Sequence, residues 1–150
     1  MSGVLVVTPS RCIDCGKCML ACSLHHTRSL DPARSRLKVV PRGKEQGIPV
    51  FCLHCDDAAC LKACPVGAIS RNEATDAVVI DAARCVRCKA CLAACPFGNV
   101  TWDATASCVV KCNLCDGFPM CATFCPSGAL ARLEGPVPLR GAAAGVGRGA

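Results

Sequence analysis

The chain has no Tyr, one Trp and four Phe among its 150 residues. A chain of this length is one domain or two very small ones. It has few large side chains from which to build an apolar centre, and small folds in that position rely on disulfides or metal. The shortage of aromatics also removes the platforms on which nucleic-acid bases stack, so no nucleic-acid partner is expected. Acidic residues number only 11 and are scattered, with no carboxylates paired for acid–base work. A nucleotide-binding loop and a Ser/His/Asp set are missing as well, so no substrate chemistry is assigned to the chain itself.

Long apolar runs are also absent. None approaches the ~18 residues of a membrane span, and direct membrane insertion is not expected. The opening residues, Met1-Ser2-Gly3-Val4-Leu5-Val6-Val7-Thr8-Pro9, have no basic leader region and no twin arginine. The expectation is a cytoplasmic chain, and in a reducing compartment clustered Cys means metal rather than disulfide.

What the chain has in abundance is Cys, seventeen in all. Sixteen fall into four quartets. The third reads Cys85-Val-Arg-Cys88-Lys-Ala-Cys91-Leu-Ala-Ala-Cys95-Pro96, a C-x2-C-x2-C-x3-C-P spacing. That run wraps a 4Fe–4S cluster with its first three Cys and sends the fourth to a different cluster. The first quartet, Cys12, Cys15, Cys18 and Cys22, has the same spacing without the Pro. The second is Cys52, Cys55, Cys60 and Cys64-Pro65; the fourth is Cys112, Cys115, Cys121 and Cys125-Pro126.

The rival metal is zinc in four-cysteine sites, but these use paired C-x-x-C knuckles and need no third and fourth Cys in one run. The chain carries a formal charge of +6. Four clusters at about −2 each would bring the holoprotein near −2, so the basic balance is largely internal compensation.

Reciprocity orders the quartets. The second and third are joined by one hairpin, expected over residues 68–81, and satisfy each other. The expected cluster sets are then Cys52, Cys55, Cys60 with Cys95; Cys85, Cys88, Cys91 with Cys64; Cys12, Cys15, Cys18 with Cys125; and Cys112, Cys115, Cys121 with Cys22. The fold class is α+β and ferredoxin-like. Two bacterial-type two-cluster ferredoxin modules are nested, with short helices and short antiparallel β-hairpins. Residues 48–102 form the inner module, 1–47 with 103–134 the outer one, and 135–150 a Gly/Pro/Ala-rich tail, read as lying against another subunit or copy.

Within that frame a strand at 4–8 pairs with one at 129–133, and a helix spans about 17–24. A strand at 37–40 pairs with 108–111 as the outer hairpin. Strands are also expected at 99–102 and 107–111.

Cys108 is left over and reads as a buried, small strand residue. His25 and His26 follow the first helix and either cap it, donate to sulfur, or face a partner. At His54 the backbone N–H matters more than the imidazole. Trp102 reads as packing. Lys17, Lys62, Lys89 and Lys111 are either solvated surface or cations that raise cluster potentials. The basic stretch Arg28, Arg34, Arg36, Lys38, Arg42 and Lys44 is either a solvated loop with an edge strand or a docking surface for an acidic partner.

The four nested quartets resemble the four-cluster electron-transfer subunits of multisubunit oxidoreductases, over about residues 4–133. Ala21-Cys22-Ser23-Leu24-His25-His26, Asp31-Pro32 and Ser35-Arg36-Leu37 are similar to the short subfamily beside tungsten aldehyde:ferredoxin-type oxidoreductases and carbon monoxide dehydrogenases. The resemblance implies four 4Fe–4S clusters. It also implies a catalytic partner subunit, tungsten- or molybdenum-pterin, and a flavin subunit as second redox partner. The alternatives are a free-standing polyferredoxin, a partner of carbon monoxide dehydrogenase, formate dehydrogenase or hydrogenase, or an assembly role in which the tail binds the next copy.

Overall fold

The computed structural model of the chain describes residues 3–134; the expectation for the tail falls outside them. In order the elements are β1 (Gly3–Val7), α1 (Lys17–Thr27), β2 (Lys38–Arg42), β3 (Gln46–Val50), α2 (Ala59–Lys62) and β4 (Ile69–Arg71). They continue with β5 (Val78–Ile80), α3 (Ala90–Ala94), β6 (Val100–Asp103), β7 (Cys108–Lys111), α4 (Met120–Thr123) and β8 (Leu130–Glu134). Short helices and antiparallel strand pairs make this a small α+β fold of ferredoxin-like type. No helix among the described residues is long and apolar enough to cross a membrane.

The strands form four separate two-stranded antiparallel sheets. Two pairings follow the sequence expectation: β1 with β8, from Gly3↔Glu134 to Val7↔Leu130, and the β4–β5 hairpin. The expected outer hairpin does not form. β2 pairs with β3, its neighbour in sequence, and β7 with β6. Loop-closure entropy favours the local partner. Gly43 supplies the turn between β2 and β3 at φ 73°, a conformation that glycine adopts without steric cost. Pro49 sits inside β3 opposite Val39; a two-stranded ribbon has free edges, so the missing N–H is tolerated.

Gly47 is buried in β3, and a Cβ there would collide with Val39 Cγ1 and come within 3.4 Å of Cys12 Sγ. Gly47→Ala is therefore expected to cost about 1–3 kcal/mol by overpacking, read from thermal unfolding, as Val39 and the Asp14 carboxylate give way.

α1 is longer than its cysteine spacing requires. No Pro follows Cys22, and Thr27 and Ser23 extend it: Thr27 Oγ1 donates to the Ser23 carbonyl at 2.8 Å, and buried Ser23 Oγ donates to the Ser29 carbonyl at 2.7 Å. Arg28 ends the helix in the left-handed region, its N–H on the Leu24 carbonyl. In the other three quartets a Pro directly after the last Cys stops the helix within five residues.

The core splits in two. Cys18, Cys22 and Cys121 pack with Leu5, Leu37 and Leu130. Cys60 and Cys91 pack with Ile69, Val78 and Val109. Correspondingly α1 lies against α4 and α2 against α3. Of the four Phe, only Phe51 is buried; Phe97, Phe118 and Phe124 are all more than half exposed.

Candidate metal centres

Each quartet begins with the same backbone event. The residue just before the second Cys lies in the left-handed region in all four: Asp14 (φ 54°), His54 (49°), Arg87 (61°) and Leu114 (57°). Residues with a Cβ avoid this region, at a cost of about 1–3 kcal/mol each, so recurrence at one position marks a shared requirement. Its effect is to turn amides inward. The His54 N–H donates to Cys52 Sγ, and the Leu114 N–H to Cys112 Sγ, both at 3.5 Å. Amides converging on one concavity favour a negatively charged occupant.

The last Cys of a quartet is held differently. In Cys64-Pro-Val-Gly67, Cys95-Pro-Phe-Gly98 and Cys125-Pro-Ser-Gly128 the Gly N–H closes a turn on the Cys carbonyl at 3.3–3.4 Å. The sulfurs take further amides. Ala68 N–H donates to Cys64 Sγ at 3.2 Å, Leu130 N–H to Cys125 Sγ at 3.4 Å, and Arg36 N–H to Cys22 Sγ at 3.3 Å. Burial would raise the Cys64 and Cys125 thiols, but the surrounding amides outweigh it and hold both below the usual range.

Between the second and third quartets the last Cys change places. One small void is lined by Cys52, Cys55, Cys60 and Cys95. Another is lined by Cys85, Cys88, Cys91 and Cys64. Burial pushes the Cys18 thiol up to about 11, and nearby Cys15, Cys12 and Cys125 add to it. Cys121 is raised by burial first and then by Cys112, Cys115 and Cys22. All seventeen Cys are free thiols. Crowded, buried thiols resist ionising because burial penalises the charged form and neighbouring thiols add to it. A metal group supplies positive charge and takes the place of their protons. Amide donors aimed at sulfur fit thiolates, and an all-sulfur donor set fits iron–sulfur clusters.

The remaining site residues sort themselves. His26 Nε2 lies 3.6 Å from Cys115 Sγ, in keeping with a histidine placed to donate to sulfur. Burial, followed by Arg36 and His25, lowers its pKa to about 4. His25 meets His26 edge-on at 4.7 Å. At His54 the sequence expectation covers only half the role: the imidazole also works, its Nδ1 accepting the buried Val78 N–H at 3.0 Å. Lys89 Nζ stands 4.0 Å over the ring of the partly buried Trp102. Cys108 is on a strand as expected but only half-buried, at the start of β7 beside an exposed turn.

Lys17, Lys62 and Lys89 are exposed, whereas Lys111 is buried at 3% exposure. Of the basic stretch, Arg34 is neither solvated nor available for docking: it is tied to buried Asp103 at 3.0 Å. Sequence reasoning missed two clamps. Arg71 donates to the carbonyls of His54 and Cys55 and to Asp76, and Asn99 Nδ2 donates to the Phe51 carbonyl at 2.8 Å. The signal for Arg71 was available, a lone guanidinium beside a polar turn between two short strands.

Comparison with known proteins gives matches to the family described as 4Fe–4S dicluster domain over residues 45–134, and to a second family of the same description over residues 11–68. The chain is 37% identical to the polyferredoxin-like subunit of an aliphatic sulfonate oxidoreductase from Pyrococcus furiosus, over 81% of this chain and 70% of that protein. It is 35% identical to the beta subunit of an NADH-dependent phenylglyoxylate dehydrogenase from Aromatoleum evansii, over 81% of this chain; there it spans only 28% of the relative's length. Among solved structures, a chain of the active-site complex BamBC of benzoyl coenzyme A reductase superposes with a TM-score of 0.52 at 22% identity. That match covers 91% of this chain and 81% of the other, a likeness of fold.

Proposed function

The chain belongs to the family of 4Fe–4S dicluster domains, and from that premise we propose that it is the electron-transfer subunit of an oxidoreductase complex. When bound, 4Fe–4S clusters take up and release single electrons. The chain's part is to hold four of them at fixed places, keep water away from their sulfurs and steady their charge with amides. The observation that carries this reading is the fourfold recurrence of the left-handed cysteine loop, with the last Cys of each middle run beside the other run's loop.

The ligand sets are those read from spacing: Cys12, Cys15, Cys18 and Cys125; Cys52, Cys55, Cys60 and Cys95; Cys85, Cys88, Cys91 and Cys64; Cys112, Cys115, Cys121 and Cys22. The two voids support the middle two sets. The thiols that oppose each other's ionisation at Cys18 and Cys121 support the outer two. The α1–α4 and α2–α3 contacts support an inner module at 48–102 nested in an outer one. Neighbouring thiols of different sets support one order for the row. Cys121 is influenced by Cys18, Cys112 by Cys52, and Cys91 by Cys60. They favour a row in which the first set is followed by the fourth, the second and the third.

A row has two ends. One serves a catalytic subunit, tungsten- or molybdenum-pterin by resemblance, and the other a second redox partner such as a flavin subunit. Named relatives are themselves subunits of oxidoreductases, and the exposed Phe97, Phe118 and Phe124 favour a complexed chain over a free polyferredoxin. Anaerobic purification with tagged chain is expected to give a brown protein with about sixteen iron and as many acid-labile sulfides, co-eluting with a catalytic subunit. A colourless protein containing zinc and no iron would sink the reading; a brown protein that elutes alone as a monomer would return it to the polyferredoxin.

A further inference from the structure

Lys111 ends β7 with its side chain inside the protein, 3% exposed. Its ammonium donates to the Val78 carbonyl at 2.6 Å, and the residue lines the void shared by Cys52, Cys55, Cys60 and Cys95. Among the described residues no carboxylate forms an ion pair with it; the four ion pairs there use Arg34, Lys62, Arg71 and Arg132. A buried cation without an anion is strongly destabilising. One carbonyl accepts one of three ammonium protons and cancels no charge. The anion that this void can supply is the set of four thiolates with what they hold.

We propose that Lys111 is the internal counter-ion of the group held by Cys52, Cys55, Cys60 and Cys95, and that its fixed positive charge raises that group's reduction potential. This rests on the electron-transfer reading above. A ligated 4Fe–4S group carries about −2 when oxidised and about −3 after gaining one electron. A fixed cation therefore stabilises the reduced form more than the oxidised one, and it does so strongly because the site is buried. Exposed Lys17, Lys62 and Lys89 sit beside quartets too, but water screens them. Lys111 also precedes Cys112 in sequence, so it stands where the second set meets the fourth, midway along the row.

The test is a redox titration of the anaerobically purified holoprotein and three variants, followed by electron paramagnetic resonance, with iron counted in every sample. Lys111→Gln keeps a donor for the Val78 carbonyl and drops the charge; Lys111→Met drops both; Lys111→Arg keeps the charge. The expected result is that one of the one-electron transitions moves to lower potential in the Gln and Met variants. At a fixed potential its reduced-to-oxidised ratio falls about tenfold, which is 59 mV for one electron, while Lys111→Arg stays near wild type. Loss of iron from one set in both neutral variants, with full iron in Lys111→Arg, also supports the counter-ion. Full iron with unshifted potentials in Lys111→Gln overturns it, and so does loss of iron in all three variants, since packing then explains the residue. Wild-type protein without iron instead defeats the electron-transfer reading.

Discussion

The double variant Cys60→Ser/Cys95→Ser is expected to lose no more iron than Cys60→Ser alone, whereas Cys91→Ser/Cys95→Ser loses about twice as much. Residues 91 and 95 lie one helical turn apart in the same run, yet they line different voids. Removing one ligand disables a group; removing a second ligand of the same group has little left to disable. Substitutions that act on one unit are non-additive, and those on separate units add. Single variants are expected to release about a quarter of the iron, or less where a three-iron remnant persists. Electron delivery to the far partner stops in either case, because a row conducts only when complete. Iron and sulfide analysis of the four proteins decides the matter. Additive loss in Cys60→Ser/Cys95→Ser, with none in Cys91→Ser/Cys95→Ser, would return each run to binding its own cluster.

The second large effect is expected at Asp103. Both of its oxygens are fully used. Oδ2 accepts from the Arg34 Nε and from a second Arg34 nitrogen at 3.0 Å, and Oδ1 accepts the Thr105 and Ala106 N–H groups at 2.9 and 3.0 Å. It thereby sets the β6–β7 turn and anchors the Pro32–Arg34 turn, one residue before Ser35 and two before the Arg36 amide that reaches Cys22. Asp103→Asn keeps the acceptor for the turn and removes the charge opposite Arg34. Breaking a buried pair costs about 3–5 kcal/mol; Arg34 retains 18% side-chain exposure, so about 3 kcal/mol is expected in denaturant unfolding.

The pH dependence follows from the sign of the shift. Burial would raise the Asp103 carboxyl, but the Ala106 amide and the Arg34 guanidinium outweigh it and hold it below the ordinary value. Its contribution is then complete above about pH 4, the ordinary carboxyl range, and fades as pH falls further through the depressed value. The gap between wild type and Asp103→Asn should be constant from pH 7 to 5 and close only in stronger acid. A gap that already closes near pH 6 would assign the effect to another group.

The sequence makes the cysteine grammar legible because ligand spacing is a covalent constraint that tertiary context cannot move. The β1–β8 closure and the β4–β5 hairpin follow from that grammar by symmetry. The partner of β2 was not legible. Gln46-Gly47-Ile48-Pro49-Val50 carries a Gly and a Pro, which argue against a strand on propensity. Yet its Gly47 and Pro49 face is buried near Cys12, where a larger side chain does not fit. Burial of Lys111 was hidden for a different reason. On β7 the alternation places it on the same face as Val109, so its position in the strand, not its polarity, decides which way it points. Arg34 and Asp103 lie far apart in sequence, and no local pattern announces their pairing.

The β1–β8 sheet has a consequence for how the protein is made. β1 leaves the ribosome well over a hundred residues before β8, with Val7 waiting for Leu130. Chains emerge at about 5–20 residues per second. Until β8 emerges, Cys12, Cys15 and Cys18 therefore have no strand closing over them, while the second and third quartets can already meet. Iron is expected to enter from the middle of the chain outward, and newly made protein exposed to air should lose the capacity of its first quartet before any other.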